Sequence, residues 1–481
     1  MPDTAAQAAV LPSAVRERLA AVLGPRGLLL EPAAIAPYAA DWRGLFPSSA
    51  AAVLRPASTA ECAAAVRICA EAGLKIVPQA GNTSLVGGAT PLGRGDEVIL
   101  SVARMNRILA IDPVDLTMEV EAGAVLAEVR KAAEAVGCLF PLSLSAEGTA
   151  RIGGLIGTNA GGNTTLRYGN MREQVLGLEI VLADGSVLDL MRRLRKDNTG
   201  YALRQIFVGA EGTLGVVTRA VLRLLPAHTE RAVAVAGVAS VEAALDLLGQ
   251  VRRRVGCWLD AFELMDRFGV SLVLRHIPGT QDPLAEPHPH YCLIELASAG
   301  TDGGLRETLE AVLAEAIEDG TVRDATLAES EAQRRALWRL REEHAEAQKR
   351  EGASVKNDVS VPISRIPDLL REGTAAVRAI VPDVRPCAFG HLGDGNIHFN
   401  FSRPESMEDK RFLALWDEIV AAVNGVVRSL GGSFSAEHGI GRLKATTLAE
   451  WRAGPELDVM RRLKAALDPA GVFNPGKVVP P

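Results

Sequence analysis

Two periods of hydrophobic patterning alternate along the 481-residue chain. Ala51 to Leu54 is a short apolar run that reads as a strand. Ser58-Thr59-Ala60-Glu61 is a capping box, so a helix starts there. Gly73 closes that helix, and Lys75 to Val77 opens a second strand, giving a βαβ unit. Glu97–Ser101 and Thr117–Glu121 read as further strands, and a helix follows to about Val136. Gly177–Leu182 and Val187–Leu190 flank an Asp184-Gly185 turn, the spacing of a hairpin. Upstream, residues 1–45 read as an N-terminal helical segment and linker, with Leu19, Val22 and Leu23 at helical spacing. Pro226–Thr229 marks a boundary. Beyond it strands alternate with amphipathic helices: Ala232–Val238 a strand, Val241–Arg252 a helix, Tyr291–Ala297 a strand. Long helices are expected from about Glu329 to Arg350 and from about Met407 to Leu430.

Composition adds mainly exclusions. Hydrophobic residues are 48% and charged residues 23%, so cores for two or three domains are available. Net charge is −6 with signs mixed, which argues against a nucleic-acid footprint. The six cysteines are scattered with no CxxC pair, which argues against a zinc ribbon, an iron–sulfur cluster or a disulfide framework. No run of 18 apolar residues predicts a membrane span, and the N-terminus does not read as a signal peptide. Abundant alanine and arginine suit a GC-rich bacterial genome. A bacterial cytoplasmic protein, or one peripheral to a membrane, is therefore expected.

Two glycine-rich stretches interrupt the patterning: Gly81 to Gly88, and Gly153 to Asn163. Glycines let backbone N–H groups approach a pyrophosphate. Neither stretch is a Rossmann fingerprint, and a pair of ordinary loops is the plain alternative. The stretches PQAGNTSLVGGATP, GGLIGTNAGGNTTLRYGN and VGAEGTLGVVTRAVLRLLP together resemble the FAD-binding domain of the vanillyl-alcohol oxidase (PCMH-type) flavoproteins. The resemblance spans about residues 46–226. It implies an α+β fold with FAD lying on both loops. Pro78, Gly81, Asn82, Thr83 and Ser84 of the first loop would bind it. So would Pro141, Ser145, Gly148, Thr149, Gly153, Gly154, Thr158, Asn159 and Gly162, and later Glu211, Val217 and Asn474. Thr83 stands where some members carry a covalently linked histidine, so non-covalent FAD is expected.

The second half holds Gly390-His391-Leu392-Gly393-Asp394-Gly395-Asn396-Ile397-His398-Phe399-Asn400. With Asp394-Gly395 as a two-residue hairpin turn, His391 would stand directly opposite His398, with Asn400 on the same face. Two histidines so placed suit one metal, and Glu437 in Ser435-Ala436-Glu437-His438-Gly439 could complete a three-ligand set with open positions. His438 would remain as a base. Arg341 and Lys356 are surface charges by composition alone, and Arg341 could instead make i,i+4 pairs along its helix.

These motifs resemble the D-2-hydroxy-acid dehydrogenases, nearest in pattern to the D-2-hydroxyglutarate enzymes, over nearly the whole chain. The resemblance implies that His391, His398 and Glu437 bind a divalent metal, usually zinc. Asn400 would contact substrate, His438 would be the catalytic base, and Arg341 and Lys356 would hold a distal carboxylate. Ala345 replaces a hydroxyl-bearing residue of the family pattern, which leaves the exact acid open. The implied layout is an FAD domain (46–226), a ferredoxin-like α+β substrate or cap domain carrying the metal hairpin (227–430), and a C-terminal segment (431–481) returning to the flavin. Electrons would pass to a separate acceptor, an electron-transfer flavoprotein, a cytochrome or a quinone, and a homodimer fits the family. The rivals are a D-lactate or glycolate dehydrogenase, a flavin-free zinc hydrolase, and a flavoprotein subunit that only relays electrons.

Overall fold

A computed structural model describes residues 11–300 and 303–480. The chain divides into two compact units. The first gathers three stretches of sequence: the described residues up to Gly162, Gly169–Pro226, and those from Glu437 on. The second holds Asn163–Tyr168 and Ala227–Ala436.

The first unit contains two main sheets. In one, strands Val53–Leu54, Glu97–Ser101 and Lys75–Gln79 run parallel in that order. The two strands of the expected βαβ unit are thus parallel but separated by a third. Their connecting helix, Thr59–Glu71, is capped by the Ser58 hydroxyl, which accepts from the Glu61 amide at 3.2 Å. The Glu61 carboxylate reaches back to the Ala57 amide at 2.8 Å, one residue earlier than the reciprocal bond of a capping box. The helix buries Cys62, Ala65, Val66 and Cys69 in a core that also contains Val472 and Phe473. The N-terminal segment is not purely helical. Between helices Ser13–Leu23 and Pro32–Ala39, Leu28–Leu29 forms an edge strand on Val53–Leu54. The second sheet is antiparallel, in the order Ile108–Asp112, Thr117–Glu121, Val216–Arg223, Val175–Val181, Val187–Leu190. Its last pair is the expected hairpin, turned at Gly185 with φ +77°.

In the second unit the segments Glu230–Val238, Val241–Val255, Leu259–Asp266, His290–Ser298, Leu305–Glu318 and Asp324–Leu327 make a strand-helix-strand-strand-helix-strand series. The strand order is fourth, first, third, second, all antiparallel. This is the ferredoxin-like arrangement, with the helix Arg267–His276 inserted between its middle strands. The sheet continues past Leu259–Asp266 through Arg385–His391 and Asn396–Ser402, which carry the histidine motif. The expected long helices are each broken. Glu331–Glu342 and His344–Glu351 are separate, and the His344 ring bonds the Leu340 carbonyl at 2.6 Å, the acceptor its own amide would use in a continuous helix. Asp409–Leu413 and Trp416–Ser429 are likewise distinct.

Candidate active site

The first unit contains a cleft floored by the two glycine loops. Pro78, Gly81, Asn82, Thr83 and Ser84 line it, as do Ser145, Gly153, Gly154, Thr158, Glu211 and Val217. Each loop packs too closely on its surroundings to admit a side chain at one of its glycines. A Cβ on Gly81 would lie 2.5 Å from the Thr149 carbonyl, and one on Gly153 would lie 2.9 Å from the Ala122 side chain. A Cβ on Gly157 would have nothing closer than 3.9 Å and would stand in the open cleft. Small residues, backbone, an apolar wall at Val216 and Val217 and the cation Arg151 suit an anionic dinucleotide with an apolar ring system.

Six other expected flavin residues do not line that cleft. Pro141 is buried after the strand Cys138–Leu139, while Gly148 and Thr149 are exposed at the turn before Ala150. Asn159 is the left-handed cap of the helix Ile152–Thr158, and its side-chain Oδ1 accepts from the Arg172 amide at 2.8 Å. Gly162 packs on Ser143, whose carbonyl oxygen a Cβ would meet at 2.1 Å. Asn474 donates to the Glu211 carbonyl at 3.0 Å and the Gly88 carbonyl at 3.3 Å, tying the chain end to the first loop.

His438 and Glu437 line the same cleft. Their loop is held by Glu211, whose carboxylate accepts from the Ile440 amide at 2.7 Å and the Gly441 amide at 2.8 Å. Burial pushes the Glu211 carboxyl up, and those amides pull it back. Gly439 has φ +77°, and a Cβ there would lie 2.8 Å from a Glu211 carboxylate oxygen. Glu211, expected to bind cofactor, lines the cleft and shapes the loop that bears His438.

In the second unit the histidine hairpin has a different register from the one expected. His391 pairs with Asn396, and Phe389 with His398. The turn has four residues, because both Asp394 and Gly395 amides bond the His391 carbonyl, at 3.2 and 3.1 Å. Asp394 then caps the turn by accepting from the Asn396 amide at 3.1 Å. The slip is two residues, an even number, so both histidines stay on one face as diagonal neighbours. Their ring centroids are 5.8 Å apart. The strand Asn396–Ser402 alternates strictly. Ile397, Phe399 and Phe401 are fully buried, and Asn396, His398, Asn400 and Ser402 share the other face.

Two polar networks surround that face. In one, Glu263 on Leu259–Asp266 accepts from Arg341 Nε at 2.6 Å and contacts His391 Nδ1 at 2.7 Å. Burial would raise the Glu263 carboxyl, but His391 and Arg341 outweigh it and bring it down to about 2. Arg341 is buried, not a surface charge, and makes no i,i+4 pair; its guanidinium lies 5.0 Å from the Phe389 ring centroid. In the other, the buried Gln348 side-chain oxygen accepts from Lys356 Nζ and from Asn400 at 3.0 Å. Asn400 also accepts from the Asn357 amide at 3.0 Å, so both ends of its side chain are held by protein. Asp358 is the strand partner of His398 and accepts from Asn396 at 3.0 Å. Ala345 is exposed. Sequence reading missed Glu263, Gln348 and Asp358. The available signal was three acids, Asp260, Glu263 and Asp266, set among apolar residues in Leu259–Asp266, where a buried carboxylate needs a partner. A second cavity in this unit, lined by Arg231, Arg306 and Arg334, is locally neutral: those arginines pair with Glu295, Glu329 and Glu331.

Residues 50–191 match the family described as FAD binding domain, and residues 227–478 that described as FAD linked oxidases, C-terminal domain. The chain is 40% identical over 456 residues to D-2-hydroxyglutarate dehydrogenase, mitochondrial, of Bos taurus, covering 95% of this chain and 82% of that protein. It belongs to the D-2-hydroxyglutarate dehydrogenase family of FAD-linked oxidases. A bacterial member of this family, from Xanthomonas citri pv. viticola, is 37% identical and 94% of each chain is covered. The fold is shared more widely. Alkyldihydroxyacetonephosphate synthase superposes with a TM-score of 0.74 at 16% identity, over 98% of this chain and 85% of that one. p-Cresol methylhydroxylase does so with 0.71 at 16%, over 97% and 96%. The chain is thus an FAD-dependent oxidoreductase with a PCMH-type domain, and the flavin-free hydrolase is set aside. Among the described residues no helix is long and apolar enough to cross a membrane.

Proposed function

We propose that this protein oxidises a D-2-hydroxy acid to the 2-oxo acid, with a dicarboxylate of the D-2-hydroxyglutarate type favoured. The observation that carries this reading is the pair of cations Arg341 and Lys356, each held by a buried partner, Glu263 or Gln348, in the unit that bears His391 and His398. Two fixed cations beside a histidine face suit a substrate with a carboxylate at its far end. The names of the 34–40% identical relatives support the same substrate class.

His391, His398 and Glu437 would hold a divalent metal, zinc by donor type. The donor chemistry fits, being two imidazoles on one face of the hairpin and a carboxylate one residue after Ala436, whose amide bonds the Asp358 carbonyl. When bound, such an ion would supply a Lewis acid for the substrate hydroxyl, and FAD a two-electron acceptor for the hydride leaving Cα. His438 takes the hydroxyl proton on its ring nitrogen. Arg341 and Lys356 bind the distal carboxylate and Asn400 orients the substrate, which lowers the entropic part of the barrier. Non-covalent attachment of the cofactor is supported by Thr83 in the first loop, at the place where some flavoproteins of this fold carry the linking histidine. A separate electron carrier reoxidises the flavin.

Ala345 favours one second reading, a preference for a shorter acid such as D-lactate or glycolate. Anaerobic stopped-flow separates the two. Flavin absorbance near 450 nm (roughly the ordinary flavin band) should bleach fastest with D-2-hydroxyglutarate, less with D-lactate, and not after EDTA. Faster bleaching by D-lactate selects the second reading, and no bleaching by any 2-hydroxy acid removes both.

A further inference from the structure

We infer that Glu263 is a positioning residue that joins the two halves of the substrate site, orienting the His391 imidazole for a metal and the Arg341 guanidinium for a carboxylate; this rests on the reading above. Glu263 is 1% exposed, His391 5% and Arg341 7%. A carboxylate that deeply buried needs compensation, and each of its oxygens has one partner. Arg341 alone would neutralise it. The second oxygen, 2.7 Å from His391 Nδ1, therefore has a further consequence.

An ionised carboxylate only accepts hydrogen bonds, so His391 Nδ1 must carry the proton. That fixes the tautomer and leaves the Nε2 lone pair for a ligand, the arrangement that metal-binding histidines use with an outer carboxylate. The other oxygen takes Arg341 through Nε, and Phe389 covers the guanidinium face at 5.0 Å. Arg341 is thereby limited to presenting its terminal nitrogens. The backbone of Glu263 is held on both sides: its strand pairs with His290–Ser298 on one and with Arg385–His391 on the other. One rigid strand thus sets both the metal side and the carboxylate side.

The test uses the yellow holoenzyme stripped with a chelator and titrated with zinc alone against a chromogenic competitor. Glu263→Gln keeps the side chain's shape and removes its charge. Its zinc affinity should fall about 10- to 100-fold, the size of outer-partner effects at metal sites. Its kcat/KM for D-2-hydroxyglutarate should fall more than for D-lactate, because Arg341 is released as well. Unchanged zinc affinity in a folded Glu263→Gln protein, even with a lowered Tm, overturns the inference and leaves the metal reading intact. A wild-type protein that binds no zinc overturns both. Should the variant not fold, 15N-histidine spectra of the metal-free wild type decide. A Nδ1–H signal lost in His391→Asn supports the inference, and a proton on Nε2 of His391 overturns it.

Discussion

The loop of His438, the proposed base, is held through its backbone. The Glu211 carboxylate grips the amides of Ile440 and Gly441, so the loop is shaped from beyond that residue. His438→Ala should abolish substrate-driven flavin reduction and leave the FAD stoichiometry at one. Reduction at a near-normal rate in stopped-flow would refute the base assignment. Lys356→Ala should reduce kcat/KM for D-2-hydroxyglutarate by about 10- to 100-fold, the loss of one charged contact at about 1.5–3 kcal/mol, with a much smaller effect on D-lactate. Equal losses would refute the selectivity role. The residues proposed to react were candidates in the sequence because histidine is scarce and sits here among glycines. Their supports were not. Glu263 and Gln348 act through contacts 128 and 52 residues distant in sequence, to His391 and Asn400. Nothing in local spacing announces such partners.

At the scale of elements, patterning located the strands and helices but not how they end. The histidine hairpin shows why. Asp-Gly favours a two-residue turn, yet Asp394 here accepts from the Asn396 amide and Gly395 packs on Val361. Tertiary contact thus overrode local turn preference, and the one-face prediction survived only because the slip was even. Gly395 has φ +93°, and a Cβ there would lie 2.4 Å from the Val361 carbonyl oxygen. Gly395→Ala should therefore cost about 1–3 kcal/mol of stability and weaken zinc binding with it. A variant whose denaturation midpoint and zinc affinity both match the wild type would contradict that account. The broken helix at Glu343 was equally hidden, because the His344 side chain rather than any proline or glycine accompanies the break.

For the molecule as a whole, buried groups set the response to pH. Burial, aided by the Arg341 charge, brings the His344 imidazole down to about 3. The folded state keeps it neutral, while the unfolded chain takes a proton below about pH 6.5. Its contribution is therefore complete above that value and is lost as pH falls toward 3, by about 1.4 kcal/mol per unit. Denaturation midpoints at several pH values should show this loss, and His344→Asn should flatten it; an equal slope in both proteins would exclude His344 as its source. The FAD-binding stretch was readable from the motifs, but the way one unit is assembled from distant segments was not. Val472 and Phe473 pack into the core of the FAD-binding unit, Phe473 bridges to Ile76, and Lys477 Nζ binds the Gly88 and Thr90 carbonyls. A chain ending at Ala470 should emerge colourless, and one isolated with its full flavin absorbance would show these contacts to be dispensable.

That split has a consequence for how the protein is made. A ribosome releases residues 227–436 before the pieces that finish the earlier unit, so a nascent chain must keep the Ile76 strand waiting while an entire second unit emerges and folds. Flavin capture should then be a late event, and a product truncated by a premature stop codon should be recognisable by its failure to take up the cofactor.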